Sequence, residues 1–177
     1  MVLDVETQYL SDEVPGGWNS VDKFRVAMVV TWDPANGVRV WFEEDAPRLL
    51  QEIENFDPIV TFNGEGFDFK VLSAYGPVDA LYKKSLDMLA KLSKQLGFRV
   101  KLESLAKATL GRGKIGSGTD CVAWWRSGDP DLRQKAIEYC KMDVELTRDL
   151  YEFAKQNSYL LIDDVRQNLR RRVDVAW

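Results

Sequence analysis

The order of apolar patterns along this 177-residue chain predicts an α/β fold. Three observations carry that prediction. Short Val-rich runs bounded by turn residues fill the first third, as strands require. Two later short segments, at residues 59–62 and 85–87, read as strands that lead into helical patterns. The last third is dominated by a long segment of helical periodicity.

Taken in order, residues 2–5 form the first strand. Residues 7–22 are a polar insertion containing Pro15, Gly16 and Gly17. Residues 24–32 alternate and are rich in valine, which gives the second strand. Asp33, Pro34, Asn36 and Gly37 then signal a turn, and residues 38–42 return as the hairpin partner. A helical pattern follows at 46–56. Residues 59–62 and 85–87 are the fourth and fifth strands. Further helices are predicted at 69–74, 88–96, 103–110, 122–125 and 132–155. There is no internal repeat and no low-complexity stretch.

Chemistry concentrates on three of these elements. Asp4 and Glu6 stand two apart on the first strand, so both carboxylates project from one face. Like charges so placed suit a hard divalent cation, which takes oxygen ligands. The second element runs from the fourth strand through Asn63, Gly64, Glu65 and Gly66 to Phe67 and Asp68 at the start of a helix. Asp68 sits at the carboxyl end of a strand, where α/β folds place their sites. It is equally a helix N-terminal acid favoured by the macrodipole, and Asn63 is equally a turn or cap residue. The third element is the long helix. Tyr139 and Asp143 are four apart on it, and their stripe continues through Leu146, Leu150 and Phe153. A second stripe holds Ile137, Cys140, Val144, Tyr151 and Ala154, so the helix is largely enclosed. Burying a carboxylate without a partner costs on the order of several kcal/mol. No Lys or Arg shares the Asp143 stripe, which leaves metal as the simplest partner.

The series Asp4-x-Glu6, Asn63-x-x-x-Phe67-Asp68 and Tyr139-x-x-x-Asp143 resembles the three exonuclease motifs of the DEDD superfamily. The match is to its tyrosine (DEDDy) branch, which includes B-family polymerase proofreading domains, ribonuclease D and stand-alone bacterial exonuclease domains. The chain has no histidine, which excludes the histidine branch. Residues 102–111 also look like the helix that often precedes the third motif. The motif-bearing region covers residues 1 to about 155.

The resemblance implies a ribonuclease-H-like fold, with a mixed five-stranded sheet, three antiparallel strands first, flanked by helices. It implies a metal-dependent 3′–5′ exonuclease acting on single-stranded DNA or RNA 3′ ends. Two divalent ions, Mg²⁺ or Mn²⁺, would be held by Asp4, Glu6, Asp68 and Asp143; such pairs lie about 3.5–4 Å apart. In that scheme Asp4 bridges both ions, Glu6 and Asp143 complete one, and Asp68 holds the other largely through water. Tyr139 orients the attacking water, since a phenol of pKa about 10 is a poor general base at neutral pH. Thr7 and Phe67 would flank the terminal sugar and base, beside Asn63. Domains of this kind also occur next to bacterial helicases, so a helicase or other nucleic-acid-processing protein is an expected partner.

The glycine-rich segment 110–119 fails the P-loop pattern and lacks a preceding strand. It reads as a loop bordering the site, with Arg112 and Lys114 reaching backbone phosphates, or as a solvated connection between helices. Trp124 and Trp125 favour core packing over base stacking. Residues 1–162 are expected to form the domain and residues 163–177 a basic tail bearing Arg166, Arg170, Arg171 and Arg172. Val165, Leu169 and Val173 recur there at i+4, which allows a docking helix, a nucleic-acid contact or a partly ordered tail.

Composition agrees with one soluble domain: 45% hydrophobic and 29% charged. No apolar run nears the ~20 residues that span a bilayer, and no signal peptide is visible, so a cytoplasmic protein is expected. Two cysteines, Cys121 and Cys140, do not make a disulfide framework, and Cys140 reads as a small core residue. Net charge is −4, yet it is divided: residues 1–68 carry 14 acids against 4 bases, and residues 69–135 carry 13 bases against 6 acids. An acidic face beside a basic segment suits an enzyme that grips phosphates and cleaves one. Two other classes fit less well. They are a ribonuclease-H-like structure-specific endonuclease and a non-catalytic nucleic-acid-binding module, which would not need all four acids. No residue identifies a contact to the 2′-OH that would separate RNA from DNA.

Overall fold

Alternation along the first strand, β1 (Val2–Thr7), divides the apolar core in two. The computed structural model describes residues 1–113, 117–164 and 169–177. Val2 faces one cluster, which includes Met28, Val30, Leu105, Cys140, Val144 and Leu150. Leu3 and Val5 face the other, with Phe24, Val29, Leu49, Ile59 and Phe69. A strand buried on both faces needs apolar residues at every position, and β1 breaks that pattern at Asp4 and Glu6.

Around β1 the sheet has the expected make-up, with its first three strands antiparallel. β2 (Val26–Asp33) pairs antiparallel with β1 and with β3 (Gly37–Phe42); β4 (Ile59–Thr61) and β5 (Ser85–Asp87) add parallel strands on the other side. The result is a mixed five-stranded sheet, β3-β2-β1-β4-β5, flanked by helices. The β2–β3 turn closes where the sequence places it. The Asp33 carboxylate accepts the backbone N–H of Ala35 and Asn36, both at 3.0 Å, and Gly37 supplies φ +69°.

One face of the sheet carries α1 (Ala46–Ile53), α2 (Asp68–Leu72) and α3 (Asp79–Lys83). The other carries α4 (Met88–Leu96), α5 (Leu102–Leu110), α6 (Gly118–Arg126) and α7 (Pro130–Asn157). α3 is an addition to the helices expected from the sequence. The 28-residue α7 extends beyond the predicted 132–155 at both ends. Pro130 sits in its first turn, and the Asp129 carboxylate caps it by accepting the Asp131 N–H at 2.8 Å. Trp124 and Trp125 pack against the core as expected: Trp125 stacks on Phe42, and Trp124 meets the Tyr139 ring edge-on.

The end of the chain departs from the helix that its i+4 spacing allowed. β6 (Tyr159–Asp164) and β7 (Leu169–Asp174) form an antiparallel hairpin, so the segment from residue 163 continues a strand that begins at Tyr159. Leu160, Ile162, Val173 and Val175 are buried. Thr109 of α5 fastens the hairpin: its hydroxyl donates to the Leu161 carbonyl at 2.9 Å and accepts the Leu161 N–H at 3.0 Å. Arg170 and Arg172 pair with Asp163 and Asp174 within the hairpin, so their charge is answered locally. Val165 and Arg166 lie outside the described residues. No helix among the described residues is long and apolar enough to cross a membrane.

Candidate active site

β1 and β4 part company above their first pair. Val2↔Val60 is their recorded pairing, and beyond it the β1 edge is open. Asp68 fills the opening: its Oδ1 accepts the Val5 N–H at 2.8 Å, replacing the ladder bond that β4 no longer supplies. Asp68 is only 3% exposed. Burial first, and then the Asp4 charge, push its carboxyl well above the usual carboxylate range, although the Val5 N–H pulls the other way.

Asp4 and Glu6 project from the same face of β1, towards α7. There they meet Asp143, and one carboxylate oxygen from each of the three lies within 4.8 Å of the others. Asp68 is not a member of that trio. At the end of β1 the register slips between Glu6 and Thr7, so Thr7 pairs with Val26 instead of the expected Ala27. Such a bulge re-aims side chains at a strand end. Thr7 is buried there, with its hydroxyl donating to the Tyr9 carbonyl at 3.1 Å.

The stripes on α7 face the core, with Ile137, Tyr151 and Phe153 only partly buried. Tyr139, Asp143, Leu146 and Leu150 are buried together, with Cys140, Val144 and Ala154 beside them. Burial, followed by the charges of Asp143, Glu6 and Asp4, raises the Tyr139 hydroxyl far above its ordinary range. Both cysteines are free and also belong to this neighbourhood. Cys140 Sγ lies 3.3 Å from Asp4 Oδ2, and Cys121 lies beside Glu6. Burial and these carboxylates push both thiols up, so they stay protonated at neutral pH.

The turn after β4 is built by a residue the sequence reading had given only a strand position. Asp87, at the end of β5, is 2% exposed. Its Oδ1 accepts the N–H of Asn63 at 2.9 Å and of Ala90 at 3.1 Å, while Oδ2 accepts the N–H of Glu65 at 3.1 Å. One carboxylate thus caps α4 and pins the 63–66 turn. An acid between a strand and a helix is an N-cap signal in the sequence; the second task is not. Asn63 takes φ +79°, which asparagine tolerates better than most residues, and Arg99 donates to its Oδ1 at 2.9 Å. Gly64 is required by contact: a Cβ there would come within 2.3 Å of Thr61 Oγ1.

A cleft of about 840 Å³ opens over these elements. Asp4, Glu6, Thr7, Asn63, Phe67 and Asp68 line it, and the 117–119 segment and the insertion after β1 contribute further walls. Tyr139 and Asp143 are not part of that lining. Arg112 is engaged by α7. Its guanidinium is held by Asp149 and Glu145, acids four apart on α7, and it does not line the cleft. Lys114 lies outside the described residues.

Residues 2–155 match the family model RNase_H_2, of the RNase_H superfamily. No curated protein matches the chain.

Proposed function

The chain belongs to the RNase H superfamily, and on that footing we propose that it is a metal-dependent 3′–5′ exonuclease acting on single-stranded nucleic-acid ends. The observation that carries this reading is the trio of Asp4, Glu6 and Asp143, whose oxygens lie within 4.8 Å of one another beside an open cleft. The donor set fits hard divalent cations such as Mg²⁺ or Mn²⁺, because every charged donor is oxygen. Asp4, Glu6 and Asp143 would hold one ion, and Asp4 with Asp68 a second. When bound, such ions stabilise the charge that develops on the attacking and leaving oxygens.

The chain's own groups do the rest. A water oxygen attacks phosphorus, the bond to the 3′ oxygen of the preceding nucleotide breaks, the water releases one proton to solvent, and the leaving 3′ oxygen takes one up, so no proton is gained or lost overall. The released mononucleotide carries a 5′ phosphate. A phenol, with an ordinary pKa of about 10, keeps its proton at neutral pH, and burial raises that of Tyr139 further. Tyr139 therefore acts by orienting water rather than by removing a proton. Thr7 and Asn63 line the cleft where the terminal sugar would lie, and Phe67 borders the base. Tyr139→Phe should lower turnover by up to about 100-fold, the size expected for a misplaced reactant. Metal affinity and thermal unfolding should stay near wild type. Full activity in this variant would reduce Tyr139 to a core residue.

Direction tests the reading as a whole. Contacts to phosphate carry no base information, so labelled strands with Mg²⁺ or Mn²⁺ should give a ladder shortening from the 3′ side with little sequence preference. A blocked 3′ end should inhibit, and a blocked 5′ end should not. Cleavage of a circular single strand, or internal cuts appearing first, would replace the exonuclease with an endonuclease.

A further inference from the structure

Trp18 is the most exposed large apolar side chain among the described residues, at 69%. It is nevertheless held in place. It lies in a one-turn helix, Gly17–Asn19, entered through Gly16 at φ +95°. Backbone bonds close that turn from both sides: Gly17 N–H to the Val14 carbonyl at 2.9 Å, and Ser20 N–H to the Gly17 carbonyl at 2.9 Å. Further back, Glu13 accepts the Leu10 N–H at 2.8 Å and pairs with Arg126 of α6. The insertion is thus tied to α6, whose first residues also line the cleft.

The indole rests on two phenyl rings rather than in a pocket. Its centroid is 5.7 Å from that of Phe24 and 6.1 Å from that of Phe67, with the planes tilted by 63° and 56°. Phe24 and Phe67 in turn meet edge-on at 6.2 Å. Tilted contacts of this kind hold the orientation of a ring, and the indole stays 69% exposed. Phe67 directly precedes Asp68, so Trp18 is seated one residue from an acid of the site. Trp18, Phe67, Asp4 and Glu6 all line the same cleft, whose volume is in the range of ligand sites.

Resting on the nuclease reading above, we propose that Trp18 is a base-stacking residue that receives the 3′-terminal nucleobase of a single strand whose phosphate lies at Asp4 and Glu6. A base leaving its neighbour to enter the cleft gives up a stacking partner, and a fixed, exposed indole replaces it. Every base offers a π face, so this contact is tolerant of sequence. It explains how an end is engaged without base-edge readout.

The test measures binding by fluorescence anisotropy in Ca²⁺, using 5′-labelled strands that end in a normal nucleotide or in an abasic tetrahydrofuran residue. Wild type should bind the base-bearing end about 5- to 150-fold more tightly, as expected for one stacked base. Trp18→Ala should bind both ends equally and weakly, with an unchanged circular dichroism spectrum, and Trp18→Phe should retain part of the preference. No preference in wild type, including no binding at all, would overturn the proposal, as would a preference that survives in Trp18→Ala. Cleavage of the same strands in Mn²⁺ separates the two readings. A Trp18-dependent preference without cleavage removes the exonuclease and leaves the stacking residue; directional cleavage without the preference does the reverse.

Discussion

Asp4→Asn should reduce cleavage by on the order of 10²- to 10³-fold, the loss typical of one preorganised electrostatic contact to a transition state. Asparagine has nearly the same shape, so β1 and its pairing with β2 should persist. What disappears is one of three charged oxygens lying within 4.8 Å of each other. Metal linkage gives a second readout. A ligand at 100 times its Kd stabilises a protein by about 2.7 kcal/mol. A domain of this size shifts by roughly 2–4 °C per kcal/mol. Wild type should therefore gain roughly 5–11 °C in Tm on adding Mn²⁺ to that level, and Asp4→Asn clearly less. Equal shifts in the two proteins, measured by calorimetry, would show that Asp4 holds no ion.

Asp87→Ala should cost about 2–4 kcal/mol, by removing a helix cap and leaving two further N–H groups of a tight turn without their acceptor. That corresponds to a Tm lower by roughly 5–15 °C. Asp87→Asn should fall between, for a geometric reason. Its single oxygen can still serve Asn63 and Ala90, but its amide would face the Glu65 N–H with a donor of its own. Activity should follow the same order, because the 63–66 turn carries Asn63 and leads into Asp68. Wild-type stability in the alanine variant, followed by urea unfolding, would mean that water replaces the carboxylate without loss.

These two residues also mark how far the sequence could be read. Asp4 was legible because strand period and spacing place it beside Glu6, and because the whole series of acids resembles known motifs. Asp87 was half legible: its position before a helix announces a cap, but its bonds to a turn 22 to 24 residues earlier depend on β4 and β5 lying side by side. The β2–β3 hairpin and α7 were legible because their periods run for several repeats. The β6–β7 hairpin was not, since a spacing of four fits one helical turn and also two strand repeats. Leu169 and Val173 satisfy both patterns, and the strand form is the one that pairs with β6, which Thr109 on α5 holds. Arg112 could not be placed either, because Glu145 and Asp149 compete for it from a helix distant in sequence.

The slipped register at Thr7 separates two parts of the molecule that adjoin in sequence. Five consecutive pairs, from Val2↔Trp32 to Glu6↔Met28, fix which way Asp4 and Glu6 point. The slip comes after the last of them, just before the insertion that carries Trp18. A one-residue slip in that ladder would turn the strand over and send both acids into the opposite core. Here the odd residue is taken up at the bulge. The insertion is therefore free to change length, and with it the grip on whatever enters the cleft, while the acids keep their aim.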